Sequence, residues 1–216
     1  MVSVLSVPHV SGNIGKHELQ RKRMKLSPRT RLRLLGLLPL LFFLAQGVHY
    51  WRLNQLGHLL WMCNIGNLVL ALGLFFEKPV VVRVAAIWTI PGFPVWFVYV
   101  VLAWGVFLTS TMAHLGGLAV AALALKTYRM DRSSWRYAFG WYLLVQLLSR
   151  FLTAPDLNVN LAYAVQPGWE RTFPSYWTFW LTLTFVAAAV LWLSGLVWRA
   201  LWPAVESNPH AAANLL

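Results

Sequence analysis

Six apolar runs punctuate this chain, at 34–51, 57–76, 79–101, 108–126, 136–154 and 175–201. Each approaches the roughly 20 residues that an α-helix needs to cross ~30 Å of hydrocarbon. The pattern predicts an all-α, polytopic helical bundle of about six transmembrane helices. A segment 1–33 precedes it and a short polar tail, 202–216, follows. The third run is the least regular. Its TIPGFPVW (89–96) sets Pro91 and Pro94 around Gly92, and prolines inside a helix remove donors and kink or break it. Connections are short except for 155–174.

Composition places the chain among membrane proteins. It is 59% hydrophobic and 11% charged, where a soluble domain carries about 25% charged residues. A single cysteine, Cys63, rules out an intrachain disulfide framework. The first ~30 residues hold no apolar stretch ending at a small-residue cleavage site, so the first span is expected to act as the targeting signal. With no transit peptide or ER-retention signal, the expected location is a bacterial cytoplasmic membrane.

Charge then orients the bundle. Lys16, Arg21, Lys22, Arg23, Lys25, Arg29, Arg31 and Arg33 precede the first span. Lys78, Arg83, Lys126, Arg129, Arg132, Arg136 and Arg199 fall at the same side of later spans, against Arg52, Arg150 and Arg171 on the other. The positive-inside rule puts both termini in the cytoplasm. The net charge of +12 therefore reads as orientation and contact with anionic headgroups. No stacking aromatics or reading motif accompany the basic run, so nucleic acid is not expected as a partner. Many of the thirteen tryptophans, among them Trp51, Trp61, Trp135, Trp141, Trp169 and Trp177, sit near span ends as interface anchors.

Polar residues inside the spans carry the candidate chemistry, because each costs free energy in hydrocarbon unless paired. At 1.5 Å rise per residue, Cys63 on span two and His114 on span four both lie about 9 Å from the outer surface. Gln146 and Arg150 on span five occupy the same layer, His49 and His58 border it, and Asn158 and Asn160 lie just above. The inner half of the spans is ordinary: LVLALGLFF, LAVAALAL, AAAVLWL. Cys63 and Asn67 share a helix face, as do Thr111 and His114, and Gly116–Gly117 lets a neighbouring helix approach closely. A thiol nucleophile needs a base within reach and a polar group to orient it. Cys63 and His114 are the candidate catalytic pair. Asn64, Asn67, Thr111, Gln146, Arg150, Asn158 and Asn160 are the candidate binding residues, with the arginine suited to a phosphate or carboxylate. No metal and no cofactor are expected. Each residue has a structural alternative as well: buried cysteine as a small apolar residue, Asn and Gln as interhelical glue, Arg150 snorkelling to headgroups.

The stretch WMCNIGNLVLALGL (61–74), the later His114 and R-x-L-x-x-P-D-x-N-V-N-L (150–161) resemble the YwaF-like family of multi-pass membrane proteins. That family is related to androgen-induced-gene type transmembrane lipid hydrolases and to a transmembrane phospholipid acyltransferase. The resemblance covers roughly 57–165 and implies that Cys63 and His114 are a catalytic pair acting on an acyl lipid. The third span's IPGFP and the basic extension depart from the family pattern.

Three functions compete. One is a Cys/His acyl-transfer or lipid-hydrolysing enzyme whose partners are membrane lipids. Another is a small transporter or an assembly component, which the Pro-interrupted third span fits, although no acidic residue lies within the spans to couple ions. The last is a haem-binding electron carrier using His58 or His49 with His114. Sequence leaves the substrate and the oligomeric state open.

Overall fold

The computed structural model describes residues 27–104 and 107–204. Lys16 to Lys25 of the basic run, and most of the polar tail, lie outside the described residues. The described chain is all-α, and four of its helices are long and apolar enough to cross a membrane: Pro28–Arg52, Pro79–Leu102, Leu108–Tyr128 and Tyr176–Leu201. The other two apolar runs are also helical, as Met62–Phe75 and Ser134–Leu152, but do not meet that standard individually. We label the helices α1 (Pro28–Arg52), α2 (Met62–Phe75), α3 (Pro79–Tyr99), α4 (Leu108–Tyr128), α5 (Ser134–Leu152) and α6 (Tyr176–Leu201).

Helix α1 starts earlier than its apolar run. Ser27 Oγ accepts the Thr30 N–H at 3.1 Å, and Pro28 occupies the first turn, where a missing N–H costs nothing. The second apolar run splits. Residues Leu56–Leu60 form a 3-10 turn, the backbone extends at Trp61, and α2 holds only 14 residues. At 1.5 Å per residue that is about 21 Å, short of a full crossing.

The expected break in the third run does not occur. Helix α3 continues through Pro91 and Pro94 to Tyr99, and a π-helical turn, Val100–Trp104, follows. Packing explains its persistence. Helix α3 touches α2, α4, α5 and α6, and Val84, Ala85, Ala86, Ile87 and Trp88 are all buried, so this half has no exposed face. Two tryptophans lock it: Trp88 Nε1 donates to Ala138 O on α5 at 3.2 Å, and Trp198 Nε1 on α6 donates to Ala86 O at 2.7 Å. These indoles are core donors. Trp51, Trp169 and Trp177, by contrast, are exposed near helix ends.

One end of the bundle collects the charges. Arg33 pairs with Glu77 at 2.8 Å and Arg83 with Asp131 at 2.6 Å, which brings together the start of α1, the end of α2, the start of α3 and the α4–α5 turn. Arg83 also donates to the carbonyls of Tyr128 and Arg129, satisfying the end of α4. Outside the core, the helices present leucine, valine and phenylalanine outward. Only 17% of the most apolar stretch of α6 is buried, which is the distribution expected of a helix surrounded by lipid.

The paired glycines of α4 do what their size permits. A methyl group on Gly116 would lie 2.6 Å from the Phe42 ring of α1, and one on Gly117 would lie 2.7 Å from Asn67 Oδ1 of α2. Gly117→Ala is expected to destabilise the protein by about 1–3 kcal/mol through overpacking. Because the clash is with the Asn67 amide, combining it with Asn67→Ala should cost less than the two single changes together. Unfolding of the four proteins in detergent measures this; strict additivity would show that the residues do not meet.

Candidate functional site

The polar residues of the bundle form two groups. The first surrounds a crevice between α2, α3 and α4, lined by Met62, Cys63, Asn67, Thr89, Gly92 and His114 among others. Gly92 adjoins both residues: a methyl group built on it would contact Cys63 Cβ at 3.8 Å and His114 Cδ2 at 3.7 Å. The crevice encloses about 10 Å³, enough for about one water molecule. Cys63 is a free thiol, half-buried rather than sealed in the core.

His114 is positioned by its own helix. It sits within a π-helical turn, Met112–Gly116, that interrupts α4, a feature frequent at functional sites. Its Nδ1 lies 2.8 Å from Ser110 O. A carbonyl only accepts, so Nδ1 carries the proton and Nε2 keeps a free lone pair. The ring stacks on Trp96 with centroids 5.8 Å apart, and the Trp96 Nε1 is buried without a partner among the described residues. Asn67 braces the same turn: its Nδ2 donates to Cys63 O at 2.9 Å and to Ala113 O at 3.0 Å. The amide is thus committed to backbone carbonyls, and its Oδ1 accepts nothing among the described residues.

The second group locks the loop after α5. Asn160 is its centre. Its Nδ2 donates to Leu60 O at 2.7 Å and Ser149 Oγ at 2.8 Å, while its Oδ1 accepts the Met62 N–H at 3.2 Å. Gln146 Nε2 donates to Asn160 O at 2.7 Å and to the Tyr142 hydroxyl at 3.2 Å. Asn158, in a left-handed conformation, accepts from the N–H groups of Tyr163 and Ala164 at 3.0 Å each. Arg150 donates to Ala162 O at 2.6 Å, and its guanidinium faces the rings of Tyr163, Tyr176 and Trp177 at 5.5, 5.5 and 5.8 Å.

The single outer layer expected from sequence therefore resolves into separate structures. Cys63, Asn67 and His114 share the crevice. Gln146, Arg150, Asn158 and Asn160 do not line it, and Arg150 is held by an aromatic cage rather than at the crevice mouth. Asn64 turns the other way, donating to His58 O at 2.9 Å and accepting from Gln46 Nε2 of α1 at 3.3 Å. Thr111 Oγ1 bonds back to Phe107 O of its own helix at 2.9 Å. His49 and His58 both contact Tyr50, with Phe107 and Trp61 as their respective second partners, whereas His114 stacks on Trp96. The space beside His114 does not admit a macrocycle.

Sequence reasoning missed Gly92, Trp96 and Gln46. Gln46 carried a signal, being a polar residue in an otherwise apolar first span. Gly92 and Trp96 lay in the stretch read as a helix break, so their faces were not assigned. No protein-family model, curated protein or solved structure matches this chain.

Asn160→Ala is expected to destabilise the protein by about 2–3 kcal/mol, because it leaves buried backbone groups at the start of α2 unpaired. Thr182→Ala, which removes an exposed bond within α6, should change stability by less than about 0.5 kcal/mol. Thermal or denaturant unfolding in detergent compares them.

Proposed function

We propose that this chain is a six-span membrane protein, with both termini on the basic side, whose crevice pairs Cys63 with His114 as a thiol nucleophile and its base. The observation that carries this reading is the shared crevice beside Gly92, lined by a half-buried residue with a free thiol and by an imidazole whose Nδ1–H is spent on Ser110 O. The free Nε2 lone pair is the one a base needs. The substrate class is an acyl ester of a membrane lipid, as the resemblance to the YwaF-like family implies. In the reaction, Nε2 takes the Cys63 proton as sulfur attacks the acyl carbonyl. The lipid oxygen leaves with that proton, and the resulting thioester passes its acyl group to water or another alcohol. The crevice holds about one water, so in this reading the acyl chain stays in the surrounding hydrocarbon and only the carbonyl approaches Cys63.

A second reading is a non-catalytic membrane component. It is favoured by the commitment of the amide nitrogens of Asn64, Asn67 and Gln146 and of the Arg150 guanidinium to backbone carbonyls. In that reading the amides are interhelical and loop fastenings.

Short helices α2 and α5 enter the six-span reading on their packing between longer neighbours. Reporter fusions at Asp131 and Pro167 check it, with the expected results inside and outside respectively. A fusion at Asp131 that reports outside would invert the arrangement.

The chemistry is tested with a lipid-soluble acyl electrophile added to membranes containing the full chain. Acylation is expected at Cys63, absent in Cys63→Ala and slowed ~10²–10⁴-fold in His114→Ala, the usual contribution of a general base. Equal rates for the wild type and His114→Ala would leave the second reading standing.

A further inference from the structure

Three residues with soft donor atoms line the crevice between α2, α3 and α4: Met62 with its thioether, Cys63 with its thiol and His114 with its imidazole. Met62 and Cys63 open α2, and His114 sits in the π-turn of α4. Both sides are held in place. The Met62 N–H donates to Asn160 Oδ1 at 3.2 Å, so the loop lock fixes the first turn of α2. His114 Nδ1 donates to Ser110 O at 2.8 Å. Metal-binding histidines almost always make such a bond, to a carbonyl, carboxylate or water, with the ring nitrogen that faces away from the metal. The enclosed space of about 10 Å³ admits a single water-sized occupant, and a bare metal ion is no larger.

The harder donors of the same wall are tied into the framework. Thr89 Oγ1 donates to Ala86 O at 2.7 Å. Asn67 Nδ2 bonds to two carbonyls, and its Oδ1 lies against Gly117, where a methyl group would be 2.7 Å away. No acidic residue lines the crevice, and no group of three or more His, Cys, Asp or Glu that could hold a metal occurs among the described residues. The four protein ligands of a structural zinc site are therefore not assembled here. One thiolate is the only negative charge the crevice can supply. It neutralises a monovalent cation, whereas a divalent one would keep a net positive charge in apolar surroundings, where uncompensated charge is costly. Thiolate and thioether sulfurs are the ligands that select Cu(I), an ion satisfied by two or three donors.

We propose that this crevice binds one Cu(I) ion through Cys63 Sγ and His114 Nε2, with Met62 Sδ as the third donor. On binding, the thiol releases its proton to water and the thiolate sulfur bonds to copper. The imidazole and the thioether each donate a lone pair and keep their protonation state. Copper enters and stays as Cu(I), so no oxidant or reductant takes part. Binding stands on the crevice alone. Its consequence rests on the reading of Cys63 as a nucleophile: copper on Sγ and Nε2 occupies both the nucleophile and its base, and so inhibits acyl transfer until it is chelated.

The test titrates the purified full chain in detergent, without oxygen, with Cu(I) in competition with the chromophoric chelator bicinchoninate. The chain should retain one Cu(I) with sulfur and nitrogen neighbours in its X-ray absorption spectrum. Cys63→Ala should lose this ion. His114→Gln and Met62→Leu should each weaken it by roughly 10–100-fold, the range that loss of even an outer-shell partner produces. The His114→Gln spectrum should also lack the imidazole signature, which separates a missing ligand from a damaged fold. Met112→Leu changes an exposed residue outside the crevice and should alter affinity less than twofold. Undiminished affinity in Cys63→Ala or in His114→Gln would overturn the site, as would Zn(II) binding as tight as that of Cu(I). A loss in Met112→Leu equal to that in Met62→Leu would overturn Met62 as the third donor. The apo and copper-loaded proteins are then treated with the lipid-soluble acyl electrophile, and copper should slow acylation of Cys63 at least roughly tenfold, the chelator restoring it. Copper held tightly by a protein whose apo form is never acylated leaves the metal site standing and removes the nucleophile. Acylation without copper retention does the reverse.

Discussion

An unpaired backbone N–H or C=O has no inexpensive refuge in apolar surroundings, and the organisation of this bundle follows from where such groups arise. The chain between α1 and α2 is the principal case. A helix interrupted at Trp61 exposes the carbonyl of Leu60 and the N–H of Met62, and both are taken by the single side chain of Asn160. The loop that follows α5 is therefore not free to wander. It must fold back onto the bundle, and its own left-handed residues, Asn158 and Asn160, are the price of reaching in. Gln146 and Arg150 then hold the loop's carbonyls, at Asn160 O and Ala162 O.

The same demand accounts for the polar residues nearer the thiol. A π-turn shifts carbonyls out of the α-helical ladder, and Asn67 meets one of them, Ala113 O, from the neighbouring helix. The turn in α4 and the asparagine in α2 make sense only together. Gly117 permits the contact, since any side chain there would displace the amide. Among the groups these pairings leave over at the crevice are the thiol of Cys63, the Nε2 of His114, Asn67 Oδ1 and Trp96 Nε1.

The helices were legible because an apolar run of about 20 residues has few other uses, and the ends of α3, α4, α5 and α6 fall within a few residues of the runs that predicted them. The break at Trp61 was not legible. Its partner, Asn160, lies 98 residues beyond Met62, and no local pattern announces a pairing at that distance. The reverse error occurred at Pro91 and Pro94: local chemistry favoured a break, and packing on four neighbouring helices overrode it. Depth along the spans grouped Cys63 with His114, and helix periodicity added Asn67 to Cys63; all three line one crevice. It failed to separate them from Gln146, Arg150 and Asn160, because depth gives height in the bundle and says nothing of azimuth. The crevice and the loop lock share a height and differ in direction.

The π-turn at Met112–Gly116 also divides α4 into two phases. A π-turn is an α-helix carrying one surplus residue, and each residue turns the helix by roughly 100°. The stretch before it presents Leu108 outward, while the stretch after it turns Gly117, Val120, Ala121 and Ala124 into the core. Loss of one residue between 112 and 116 would relax the turn to regular α geometry and rotate one half against the other. The imidazole would then leave the crevice it shares with Cys63, or the small residues would leave their places against α2 and α3. Length in this segment is thus as tightly specified as residue identity, and a lineage of such chains would tolerate substitution here far more readily than a single-codon deletion.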